Sequence, residues 1–222
     1  MMWFGYFQTI QFSEKWSLTT DVQERFFVVP IAQHQLILRS GLNYKLPVPT
    51  WTLQLGGCVF FQQPNEPEIT QRLTIPELRP HIQLTQFNKQ GKKFKVEHRY
   101  RLESRFFHNT NATRTELTDG FQFRNFRMRY RFLTQYSLYE KENKPSFGLK
   151  IYDEIHVNFG EKIVTNMFDH NRFFVGFYTQ LTNNIGIDFG YLNWFQQREN
   201  GQFYNRHVFR FNLNHRLDFS KG

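Results

Sequence analysis

Polar or charged residues take every second position along most of the chain, with aromatic and aliphatic residues between them. Residues 93–106 show the pattern most clearly. Lys93, Lys95, Glu97, Arg99, Arg101, Glu103 and Arg105 fall on one face, and Phe94, Val96, His98, Tyr100, Leu102, Ser104 and Phe106 on the other. A period of two marks a β-strand, whose successive side chains point to opposite faces of the sheet. No segment carries a convincing helical period, and the alternation predicts about eleven runs. They cover residues 3–12, 16–27, 33–46, 51–63, 79–88, 93–107, 121–138, 147–159, 172–183, 185–197 and 203–219. Such runs exceed the usual globular strand of about 5–6 residues. They match a tilted membrane-crossing strand of about 9–11 residues with an extension beyond the bilayer.

The connections alternate in length. Tight turns fall at 13–15, 47–49, 88–92, 141–145 and 182–185, and longer links at 64–77, 108–120, 160–170 and 197–205. Short turns at one end and long loops at the other are the habit of outer-membrane barrels. The fold predicted is all-β: a single antiparallel up-and-down transmembrane β-barrel over residues 1–222. Closure between antiparallel first and last strands requires an even count. About twelve strands are therefore expected, with ten as the alternative and 64–78 as the place for the additional one.

The two faces stay consistent from run to run. Arg127, Arg129 and Arg131 oppose Phe126, Met128, Tyr130 and Phe132. Lys150, Tyr152, Glu154, His156 and Asn158 oppose Leu149, Ile151, Ile155, Val157 and Phe159. Arg206, Arg210, Asn212, Asn214, Arg216 and Asp218 oppose Phe209, Phe211, Leu213, Leu217 and Phe219. In a membrane barrel the apolar face is outside and the polar face lines the lumen. Trp3, Trp16, Trp51 and Trp194 lie near strand ends, where an interfacial aromatic girdle is expected. The inverse arrangement is a soluble lipocalin-like barrel that binds an apolar ligand inside.

Composition favours the membrane reading. Aromatic residues make up 18% of the chain, with 27 Phe, although the mean hydropathy is −0.60. A polar lumen inside an apolar belt reconciles the two. No stretch approaches the roughly 20 apolar residues of a membrane helix. The formal net charge of +9 is spread over alternate strand positions rather than gathered in a basic tail or helix, so nucleic acid is not expected as a partner. Cys58, the single cysteine, has no internal disulfide partner and reads as a small packing residue. The opening Met1-Met2-Trp3-Phe4-Gly5-Tyr6 lacks the basic region and cleavage site of a signal peptide, so an outer-membrane location implies a leader outside this sequence.

Several short blocks resemble a known family. They are Glu97-His98-Arg99-Tyr100-Arg101-Leu102-Glu103-Ser104-Arg105-Phe106, Tyr152-Asp153-Glu154-Ile155, and Phe168-Asp169-His170-Asn171-Arg172-Phe173-Phe174-Val175-Gly176-Phe177. Trp3 and Trp16-Ser17-Leu18 at the start fit as well. In this order, across nearly the whole chain, they resemble the outer-membrane barrel proteins of Gram-negative bacteria grouped as domain of unknown function 2490. The resemblance implies an exported outer-membrane β-barrel and no assigned activity.

The candidate chemistry lies on the polar face. Glu97, Arg99, Arg101, Glu103, Arg105, Arg127, Arg129, Arg131, Lys150, Glu154, Arg172 and Arg210 are the expected lumen residues, joined by Lys95, Arg206, Arg216, Asp188 and Asp218. Buried charges persist only when paired and hydrogen-bonded. One reading is therefore a cross-strand lattice in which Glu97, Glu103 and Glu154 are bracketed by Arg rows. The other uses the excess of bases, since rings of Arg and Lys favour anion passage. Enzyme motifs of the G-x-S-x-G, H-E-x-x-H or Walker type are absent. His98, His207, His215 and Ser104 lie on the outer face, where a lipid-modifying enzyme would need its nucleophile and base. Asp169-His170-Asn171-Arg172 is explained by capping and ion pairing, and Asp153, Glu154 and His156 alternate in direction and do not form a metal site. The chain is expected to be non-enzymatic, without cofactor, with membrane lipid, small anions or another envelope protein as partners.

Overall fold

The computed structural model describes residues 1–91, 93–139, 147–161, 163, 166–198 and 201–220. Among them all regular structure is β. The strands are β1 (Met2–Gln11), β2 (Trp16–Phe27), β3 (Ala32–Lys45), β4 (Trp51–Gln62), β5 (Ile75–Leu78), β6 (His81–Gln90), β7 (Phe94–Thr110), β8 (Leu117–Tyr139), β9 (Phe147–Phe159), β10 (Phe168–Gln180), β11 (Ile185–Gln197) and β12 (Phe203–Asp218). Strands pair with their neighbours in sequence order except β5 and β6, which both pair with β4 and β7, and β12 pairs with β1, so the sheet closes into a barrel. The expected turn at 141–145 lies outside the described residues.

Twelve strands fill eleven positions around this barrel. β5 and β6 lie end to end between β4 and β7. The ladder runs on through Arg79, which exchanges both backbone hydrogen bonds with Cys58 at 2.8 and 3.0 Å. Pro80 interrupts it because proline has no N–H to give. β5 falls within residues 64–78. The odd number of positions is accommodated at the closing pair, where β1 and β12 run parallel with Trp3 opposite Arg210 and Ile10 opposite Leu217. An even count is therefore not required. A parallel ladder is slightly less stable per residue than an antiparallel one, but it leaves no open edge.

The outward face presents an exposed apolar residue at each of the eleven positions. Phe4, Val22, Leu38, Leu55, Ile82, Leu102, Met128, Ile155, Val175, Tyr191 and Phe209, one from each, are all exposed. Aromatic rings mark both rims, with Trp16 against Tyr44 (4.7 Å) at the short-turn end and Phe195 against Phe203 (4.6 Å) at the loop end. Trp16 and Trp51 take part in this girdle, but Trp3 and Trp194 do not. They point inward, 4% and 1% exposed, and meet edge to face at 5.3 Å.

The interior has two unlike walls. Trp3, Leu133, Tyr152, Phe174, Leu192, Trp194 and Val208 form one buried apolar cluster, carried mostly by β1 and β9–β12. Bare backbone makes room for these rings. Gly176 faces Gly190 across β10 and β11, and a Cβ on Gly176 would fall 2.2 Å from the Phe189 carbonyl oxygen and 2.7 Å from the Phe174 ring. The other wall, on β5 and β7–β9, is charged.

Candidate functional site

Register decides how the charged wall is wired. Arg99 lies directly opposite Arg131, and Arg101 opposite Arg129. Like charges at facing positions repel, so the guanidinium groups pass one another to reach carboxylates, diagonally along the ladder for Arg129 and Arg131 and across β8 within one row for Arg99. Arg131 bonds Glu97, and Arg99 bonds Glu154. Arg129 spans the wall, donating to Glu103 at 2.8 Å and to Glu154 at 2.9 Å. Glu103 also lies 3.6 Å from Arg101, and Glu154 lies 3.9 Å from Arg172. One branched network thus runs from Arg101 to Glu154 and on to Arg99, and it ties β7, β8, β9 and β10 together. Glu103 and Glu154 are 2% and 4% exposed. A buried carboxylate is tolerable with this many charge-assisted donors.

Smaller groups surround the network. Glu77 accepts from Arg79 at 2.6 and 2.7 Å and from Arg105 at 2.5 and 3.1 Å. Arg127 pairs with Asp169 at 3.0 Å. Lys150 pairs with Asp188 at 3.2 Å, and Asn212 and Asn214 also donate to that carboxylate. Arg210 has a neutral partner, the Tyr152 hydroxyl, at 2.8 Å. All twelve residues expected in the lumen therefore lie on the inward face. Arg216 and Asp218 do not line the lumen: they are solvent-exposed at the short-turn rim, 3.6 Å apart, because β12 ends there.

The alternation hid another set of inward residues. At three places near the loop end a β-bulge adds a residue and shifts the register: between Arg25 and Phe26 opposite His34, between Arg105 and Phe106 opposite Arg124, and between Phe168 and His170 at Asp169. A bulge redirects a side chain that strict alternation would send outward. His34 is buried against Phe27 and Trp194, Arg124 stacks over Phe107, and Asp169 joins Arg127 and His170. Arg25, Arg39, Arg79 and Glu77 are further interior charges outside the expected set. Glu77 falls in the link 64–77, outside any predicted run, and Arg79 is the first residue of the run 79–88.

The bulge at Asp169 also brings its carboxylate beside His170 and His156, with potential ligand atoms of all three within 4.8 Å. The two imidazoles stack at 3.7 Å. Asp169 is already held by Arg127, and His156 Nε2 lies 3.2 Å from Glu154. Arg127 and Arg129 beside these groups make the field unfavourable for a divalent cation and favourable for an anion.

Two adjoining spaces complete the site. A vestibule of about 580 Å³ opens at the loop end, with Arg105, Arg124, Asn125, Asn158, Asp169 and Tyr204 among its lining residues. Beneath it lies a cavity of about 60 Å³, lined among others by Arg25, Arg39, Arg79, Arg105, Arg127, Arg129 and Arg172. Gln62, Arg105, Asp169 and Gln196 border both.

Comparison with known proteins agrees with this architecture. A family model described as Protein of unknown function (DUF2490) matches residues 1–205. Among solved structures, one described as "NanC porin structure in rhombohedral crystal form" superposes with a TM-score of 0.51 at 10% identity, over 94% of this chain and 90% of that one. That likeness concerns the fold. No curated protein matches the chain.

Proposed function

The chain belongs to the DUF2490 family, and from its porin-like barrel we propose a non-enzymatic outer-membrane protein whose lumen is plugged by ion pairs beneath an anion-attracting vestibule. The observation that carries the plug is the Arg101–Glu103–Arg129–Glu154–Arg99 network, with Glu103 and Glu154 almost wholly buried. Support for a membrane location comes from the apolar residue exposed at each of the eleven positions and from closure without an edge, since lipid offers no partner to free backbone groups. The outward histidines favour a structural role. His98, His207 and His215 bond Tyr130, Tyr191 and Tyr6, and Ser104 lies six residues from His98, about 20 Å along the strand. Lipid outside, small anions at the vestibule and another envelope protein at the loops are the partners this reading assigns, with no nucleic acid and no cofactor.

A second reading, a narrow anion-preferring pore, draws on the vestibule and the arginines below it. Planar-bilayer recordings on protein with a fast-migrating unheated gel band separate the two. The plug predicts no conductance steps. Stable steps whose anion preference reverses in Arg129→Glu would replace it with the pore.

A further inference from the structure

Hydrogen-bond donors in the middle of the barrel outnumber the acceptors that could satisfy them. Arg25 is the clearest case. It is 4% exposed, and its terminal nitrogens donate to two neutral groups, Gln35 Oε1 at 2.8 Å and Gln23 Oε1 at 3.0 Å. Its guanidinium lies over Trp3, 3.9 Å from the ring centre. Among the described residues no carboxylate lies within 4 Å of it. An uncompensated buried charge is strongly unfavourable. Arg172 stands 3.9 Å from Glu154, a carboxylate it shares with Arg99 and Arg129. The buried Nε atoms of Arg25, Arg39, Arg129 and Arg172 and the indole Nε1 of Trp194 meet no acceptor among the described residues. All five residues line the 60 Å³ cavity, where Asp169 is the one carboxylate and is already taken by Arg127 and His170.

We propose that this cavity is a binding site for one small anion, held by Arg25, Arg172 and the indole N–H of Trp194. The inference rests on the reading of a closed polar lumen. It adds a discrete, saturable site that neither the plug nor the pore requires. The volume equals roughly two water molecules of liquid, enough for a halide or a carboxylate head. Entry is from the vestibule, past the shared residues Arg105, Asp169 and Gln196. The anion has two possible sources: a free inorganic ion, or the carboxylate of an organic solute seated in the vestibule.

The test follows thermal unfolding of the purified barrel, by tryptophan fluorescence and gel heat-modifiability, while chloride or acetate is titrated. A ligand that binds only the folded state raises the midpoint in a saturable way. The wild type is expected to show saturation, and Arg25→Gln to need at least tenfold more anion. Arg216→Gln at the rim should follow the wild type. Arg25→Gln strands no carboxylate, so the variant is expected to fold. Trp194→Phe, which keeps a ring but removes the donor, supplies a second variant and should also weaken binding. Saturation by chloride assigns a free inorganic ion, and saturation by acetate alone assigns a solute carboxylate. A non-saturating response of equal size in the wild type and Arg25→Gln overturns the site. The membrane reading fails separately: a protein monodisperse without detergent would sink it, while the same titration would still decide the site.

Discussion

The two walls of the lumen fill the same barrel by opposite means. On β5 and β7–β9, long charged side chains reach across strands and complete one another. On β1 and β10–β12, rings and aliphatic groups pack over glycines. The charged wall is a network, so removing one member leaves the others buried and unpaired, and the damage spreads over several strands. The apolar wall is a packing problem, so the cost of a deletion is the contact area and the cavity left behind. Tyr152 stands at the seam. Its ring stacks on Phe174 at 4.9 Å while its hydroxyl accepts from Arg210. A lumen built only of ion pairs would need a carboxylate for each base; the apolar wall fills its part of the interior without that demand.

The sharpest way to test this contrast is Glu154→Gln. The change keeps shape but takes the shared charge from Arg99 and Arg129, and is expected to destabilise by about 3–5 kcal/mol in urea unfolding from detergent. A loss below about 1 kcal/mol would mean that the network is not buried in solution. Next in size is Leu192→Ala in the apolar wall. Leu192 is fully buried, and the expected loss is about 2–4 kcal/mol, independent of salt. Marked salt dependence would show that the two walls are coupled. Smallest is Arg216→Gln, which removes the exposed pair with Asp218. It should change stability by less than about 0.5 kcal/mol and less still at high salt. A larger cost would return this pair to the lumen.

The alternation was enough to place the charged wall. Glu97, Arg99, Arg101, Glu103 and Arg105 alternate with Val96, His98, Tyr100, Leu102, Ser104 and Phe106, a face without charged carboxylates or guanidinium groups, and only that face of such a strand can turn toward lipid. It was insufficient on β10 and β11. Phe173, Phe174, Val175 and Phe177, and likewise Leu192, Trp194 and Phe195, put apolar groups on both faces, so hydrophobicity does not choose between them. Trp3 and Trp194 read as girdle residues from their places near strand ends, and nothing in the local alternation opposes that. The bulges at His34, Arg124 and Asp169 escaped because an added residue reverses the parity of everything beyond it, and the partner strand that reveals it is distant in sequence.

What the sequence determined by itself was the strand content, the apolar exterior and the arginine-rich interior, since each follows from a period of two along a single strand. Tertiary structure decided how the barrel closes, which carboxylate each arginine reaches, and where two spaces open among them. Those properties belong to the register between strands. The end-to-end placement of β5 and β6, the parallel β1–β12 seam and the diagonal ion pairs all depend on which residues face one another across the ladder. Local alternation is blind to that choice because every register shift of two residues preserves it.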